Sequence, residues 1–215
     1  MNYLAHLHLA DVAGQDDEGT LGNLVADMVK GPEVERLTEG VQAGVRMHRK
    51  VDRYTDTHER VQSSIRRISA DWGWFSGIVI DVYYDHLLAE TWAEWSEESL
   101  RAFTLRMHGR LVRGLPHLPE SAQFGVSKLV ETDRLMMYAT RDGIADTFVR
   151  LSDRIARRLP QRARRLEEAM PLLLQRHDEL TVDFRAFYPA LMAHVLSLRE
   201  FRRESAPDSC ATAGR

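Results

Sequence analysis

The chain has 215 residues, with 29 Lys and Arg against 32 Asp and Glu, for a formal net charge of −3. That balance gives no global drive toward nucleic acid or an anionic membrane surface, and no apolar run approaches the roughly 18 residues of a membrane span. The one cysteine, Cys210, has no partner, which argues against disulfides, thiolate-held structural zinc and iron–sulfur clusters. The start, Met1-Asn2-Tyr3-Leu4-Ala5-His6, lacks the basic-then-apolar layout of a signal peptide, and a cytoplasmic location is the expectation.

Met1 to Ala10 alternates in a way that fits a strand or one turn of buried helix, with His6 and His8 read as core or capping groups among leucines. Asp11 to Gly19 reads as a loop. Thr20 is the predicted cap of a helix over Leu21 to Lys30 closed by Gly31-Pro32, with Asn23 and Asp27 forming a polar stripe beside the core stripe. A second helix is predicted over Val41 to Tyr54. Asp56 and Glu59 have the spacing of a capping box, opening a helix through Ile68. The stretch from Asp71 to Trp95 reads as one central apolar helix. Further helices are predicted at about 96–113, 121–140, 142–159, 161–176 and 179–201, the last bent at Pro189. No alternation is sustained enough for a sheet, and no linker divides the chain. The expected architecture is all-α, with one helical domain over residues 1–202 and a disordered polar tail over 203–215.

Within the central stretch, Ile78 to Leu88 is apolar almost all the way round yet carries Asp81, Asp85 and His86. Isolated charges are costly inside an apolar helix unless they are paired or coordinate a metal. Asp81 and Asp85 stand four residues apart and share a helical face. His48 and Asp52 repeat that spacing on the second helix, Asp27 offers another carboxylate and His58 an imidazole in a turn. Imidazole with carboxylate suits Mn, Fe, Zn or Mg, and facing helices are how all-α folds build such sites. The candidate ligands are therefore Asp27, His48, Asp52, Asp81, Asp85 and His86. Arg49 and Arg53 lie beside the His48/Asp52 pair, and they stand with His58 as candidate catalytic groups. The alternative reading of the same acids is that they only satisfy arginine and backbone partners.

Four blocks carry a resemblance. Met1-Asn2-Tyr3-Leu4-Ala5-His6-Leu7-His8-Leu9-Ala10, Leu21-Gly22-Asn23-Leu24-Val25-Ala26-Asp27, His48-Arg49-Lys50-Val51-Asp52-Arg53-Tyr54-Thr55-Asp56-Thr57-His58 and Asp81-Val82-Tyr83-Tyr84-Asp85-His86-Leu87-Leu88 strongly resemble the bacterial acyl carrier protein phosphodiesterases. They occur in family order across roughly the first 90 residues. The resemblance implies a helical fold distantly akin to the HD-type phosphohydrolases. It also implies a manganese-dependent hydrolase (Mg2+ or Fe2+ being the alternatives) that removes the 4′-phosphopantetheine arm from holo-acyl carrier protein. Glu59 departs from the family turn, where proline is expected.

An acidic carrier protein would need a basic docking surface. Residues 141–165 hold eight arginines against three acids, and Arg154, Arg157, Arg158 and Arg165 are the expected contacts. Two other readings stay open: a hydrolase of a small phosphorylated nucleotide on a related scaffold, and a helical binding protein without activity.

Overall fold

The computed structural model describes the backbone of residues 1–204, with side chains through residue 198. Among the described residues every regular element is helical. The expected tail lies, from residue 205 onward, outside the described residues.

α1 (Tyr3–Val12) settles the ambiguity of the first block. Residues Leu4 through Ala10 are all buried, so the helix has no polar face and its 3.6-residue period is masked in the sequence. Asp16, not Thr20, caps α2 (Asp17–Val25), accepting a hydrogen bond from the Gly19 amide at 2.8 Å. Thr20 sits fully buried inside the helix, and the loop expected over Asp11 to Gly19 shrinks accordingly. A short α3 (Pro32–Glu35) leads to α4 (Glu39–Thr57), capped by Thr38.

Asp56 belongs to the last turn of α4, and His58 is the residue that caps α5 (Glu59–Trp72). Its Nδ1 accepts from the Arg60 amide at 3.2 Å. Gly73, at φ 49°, then turns the chain through a conformation that L side chains rarely adopt. The predicted central helix is therefore interrupted, and α6 runs only over Ser76–Glu90. α7 (Leu100–Gly114), α8 (Glu120–Glu131) and α9 (Arg134–Met137) follow, the last two separated by Asp133 in the left-handed region. α10 (Arg141–Arg158) ends before Pro160. The continuous helix expected over 161–176 is instead two 3₁₀ turns and α11 (Met170–Gln175), because Pro160 and Pro171 each force a new start. α12 (His177–Glu204) closes the described fold, passing through Pro189.

α6 forms the centre, buried on nearly every side and packed against α1, α5, α10 and α12. The tightest helix pair is α2 with α4. A Cβ on Gly22 would lie 1.9 Å from the Val41 carbonyl oxygen, and one on Gly44 would lie 2.1 Å from the Gly19 carbonyl oxygen. Only glycines permit this backbone approach, and it brings Asn23 on α2 against His48 on α4.

Candidate metal centre

Helices α1 and α4 converge on one point, backed by Asn23 of α2. α1 supplies His6, α4 supplies His48 and Asp52 one turn apart, and the nitrogen and oxygen donors of these three groups lie within 4.8 Å of one another. The two imidazoles stack with centroids 3.8 Å apart and planes at 15°. Asn23 holds both rings. His6 Nδ1 lies 3.2 Å from the Asn23 side-chain Oδ1, and His48 Nδ1 lies 2.8 Å from the Asn23 backbone oxygen. The Asn23 amide is itself oriented, donating through Nδ2 to Gln15 Oε1 at 3.2 Å.

Oxygens accept, so each Nδ1 must carry the proton of its ring. That leaves both Nε2 atoms turned toward Asp52, His6 at 3.1 Å from Oδ1 and His48 at 3.0 Å from Oδ2. A neutral imidazole has no second proton to give. Burial, helped by the adjacent His48, pushes His6 down to about 4, so near neutrality its Nε2 lone pair faces a carboxylate oxygen. Burial also acts downward on His48, but Asp27 and Asp52 outweigh it and raise that ring to about 9. Even so, His48 Nε2 is buried and makes no hydrogen bond, since the line to Asp52 is poorly directed. Burial opposes ionisation of Asp52, yet the two histidines hold its carboxyl well below the usual carboxylate range.

The His6 lone pair and a carboxylate aimed at one another repel unless a cation joins them, and a metal ion would take the place of the His48 Nε2 proton. Donors about 2.1 Å from a common ion and at right angles stand about 3.0 Å apart, which is the spacing found for both Nε2 atoms from Asp52. A histidine ligand whose other nitrogen donates to a fixed oxygen is the usual arrangement around a metal. The residues present therefore fit a divalent ion held by His6, His48 and Asp52.

The other expected ligands separate into two groups. Asp27 follows the end of α2 in a turn, with a carboxylate 70% exposed and 3.7 Å from His48 Nε2. Asp81 is 37% exposed and 3.3 Å from the Met1 nitrogen, which in turn lies 3.9 Å from Asp52. Both border the centre. Asp85 does not join it: its oxygens accept from the amides of Asn2 (3.1 Å), Leu4 (2.7 Å) and Ala5 (3.4 Å), so it tethers the first turn of α1 to α6. Complete burial pushes this carboxyl up to about 7 against the pull of the Met1 amine and those amides. His86 points elsewhere, its Nδ1 donating to the Tyr138 carbonyl at 2.8 Å.

Of the expected catalytic groups, Arg49 and Arg53 are exposed on α4, next in sequence to His48 and Asp52, with no ion-pair partner among the described residues. His58 is occupied as the cap of α5 and packs edge-on against Phe187 at 5.0 Å. The basic stretch also divides. Arg154 and Arg157 line a pocket against α1, Arg158 is exposed at the end of α10, and Arg165 lies beyond the helix, bonded to Glu167 at 2.8 Å.

The sequence model of the family described as acyl carrier protein phosphodiesterase matches residues 1–191. The chain belongs to that family. Among curated acyl carrier protein phosphodiesterases, the Yersinia pestis protein is 35% identical over 193 residues, covering 89% of this chain and 96% of its own length. The Photorhabdus laumondii relative is also 35% identical over 193 residues, at 89% and 93% coverage. An Escherichia coli O9:H4 relative is 31% identical over 194 residues, at 90% and 96%. No solved structure matches. In this phosphodiesterase family member, the two groups missed from the sequence are His6 and Asn23. His6 reads as a core histidine because leucines flank it. The signal available for Asn23 was its place in the predicted polar stripe with Asp27, one residue after a glycine.

Proposed function

We propose that the protein is a metal-dependent phosphodiesterase that hydrolyses the 4′-phosphopantetheine arm from holo-acyl carrier protein, giving the apo form. Family membership supports the reaction class. The observation that supports metal dependence is the convergence of both Nε2 atoms on Asp52, the Nδ1 protons being committed to Asn23, so that Nε2 is the atom each ring has left to offer an ion. His6, His48 and Asp52 would hold the ion, with Asp27 and Asp81 as further oxygen donors at the rim. A divalent cation held there would polarise a phosphoryl oxygen and lower the pKa of a bound water. Manganese is the ion we favour, since mixed nitrogen and oxygen donors select transition metals over calcium.

The chain's own residues do the rest. Asn23 fixes both rings in the tautomer that leaves Nε2 free, while the α2–α4 glycines hold it in place. Arg49 and Arg53, exposed on α4 and without an ion-pair partner among the described residues, would meet the phosphodiester's negative charge. In the reaction a water oxygen bonds to phosphorus, the bond from phosphorus to the carrier's oxygen breaks, and that oxygen leaves with a proton. The exposed arginines at the end of α10, Arg158 with Arg154 and Arg157 at the pocket rim, would steer an acidic carrier protein. Arg165 contributes less, being paired with Glu167.

Release of 4′-phosphopantetheine from holo-acyl carrier protein, measured after chelation and after adding manganese back, tests the reading. Turnover that returns only with the metal is the expected result. Full turnover in excess chelator, with no metal detected in the protein by elemental analysis, would overturn it.

A further inference from the structure

A cavity of about 240 Å³ lies between α10, α9 and the first turn of α1. Three of its walls are arginines of one α10 face, Arg150, Arg154 and Arg157, at i, i+4 and i+7. Arg134 of α9 closes it from the other side, and Asp153 is its one acid. None of the four arginines has an ion-pair partner among the described residues: Arg150 donates to Thr147 Oγ1 at 2.9 Å and Arg134 to Thr132 Oγ1 at 3.2 Å. A cleft lined by one sign of charge concentrates counter-ions of the other. Burial and the neighbouring Arg134 both act against the charge of Arg150.

We propose that this cavity is a binding site for a phosphomonoester or phosphate dianion, separate from the His6/His48/Asp52 centre. Four guanidinium groups against one carboxylate favour a dianion over a single carboxylate, and planar forks suit tetrahedral oxyanions. The Thr147 hydroxyl, also in the lining, adds a neutral donor. The volume suits a small anion rather than a protein helix. Tyr3, on the α1 side of the cavity, precedes His6 by one turn, a rise of about 4.5 Å along the helix. One helix, α1, thus contributes to both the cavity wall and the candidate centre. Two sources share the chemistry. One is free inorganic phosphate. The other is the phosphomonoester end of released 4′-phosphopantetheine, and that source rests on the function proposed above.

Calorimetric titration of the full chain with inorganic phosphate, 4′-phosphopantetheine and unphosphorylated pantetheine, at constant ionic strength, decides the matter. Saturable binding of both phosphates and none of pantetheine is expected, weakened at least tenfold in Arg154→Ala/Arg157→Ala and unchanged in His48→Ala. Phosphopantetheine binding at least tenfold tighter than phosphate would assign the site to product; equal affinities would assign it to free phosphate. No saturable phosphate binding overturns the proposal. So does binding that survives the double arginine variant and disappears in His48→Ala, because the anion would then sit at the metal centre. Failure of metal-dependent turnover with phosphate binding intact would sink the proposed activity alone.

Discussion

His6 and His48 lie face to face, 3.8 Å between ring centroids, although 42 positions separate them in the chain and only one of the two carries a spacing signal. Both rings give their Nδ1 protons to Asn23 and present Nε2 to Asp52. If this is a metal centre, His6→Ala should damage it as thoroughly as His48→Ala. A ligand at about 100 times its Kd stabilises a folded protein by about 2.7 kcal/mol. Manganese should therefore raise the melting temperature of the wild type and leave both variants unmoved. A His6→Ala variant that keeps the full metal-dependent shift would remove His6 from the ligand set.

Asn23 touches no ion in this arrangement, yet it sets two tautomers at once. Asn23→Ala should keep the backbone oxygen that receives His48 Nδ1 and lose only the amide oxygen that receives His6 Nδ1. Losing a hydrogen-bond partner of a ligand typically costs about 10–100-fold in metal affinity. Competition titration against a metal chelator should show a loss in that range. A fall below twofold would mean that packing alone orients His6.

The close contact of α2 with α4 can be tested independently of metal. An added methyl at position 44 has nowhere to go, since its carbon would meet the Gly19 carbonyl at 2.1 Å and the Asn23 amide nitrogen at 2.7 Å. Overpacking of this kind typically costs about 1–3 kcal/mol. Gly44→Ala should lower the urea midpoint accordingly and also weaken manganese binding, because α4 must move away from Asn23. Gly77→Ala serves as the control: its Cβ would meet nothing within 4 Å.

How far the sequence led can be judged residue by residue. The His48/Asp52 spacing was readable because α4 is amphipathic and both groups fall one turn apart on it. His6 was not, since a helix buried on every side erases the periodicity that distinguishes a ligand from a core residue. The all-helical architecture followed from period and length, whereas its boundaries shifted wherever a tertiary partner decided the cap. Thr20 lost its capping role to Asp16, and Asp56 to His58, because local spacing cannot show which side chain meets the free amides. The basic stretch was legible as composition. Its division into a pocket wall and an exposed end was not, because Pro160 ends the helix.

Asp81 and Asp85 make the sharpest contrast, since spacing alone treats them alike. Both project from α6 toward the start of α1, yet Asp85 is completely buried on three backbone amides while Asp81 is 37% exposed beside the candidate centre. Asp85→Ala strands those amides and should cost about 2–4 kcal/mol in urea unfolding. What remains folded should bind manganese with near wild-type affinity. Asp81→Ala should change stability by less than about 1 kcal/mol, as befits a half-exposed side chain, and lower kcat/KM on holo-acyl carrier protein at least tenfold. Both variants are measured by the same assays: urea unfolding, manganese titration and turnover at saturating manganese. The reverse pattern, with Asp85→Ala stable and inactive and Asp81→Ala unstable and active, would exchange their roles and place the metal one helical turn deeper in the core.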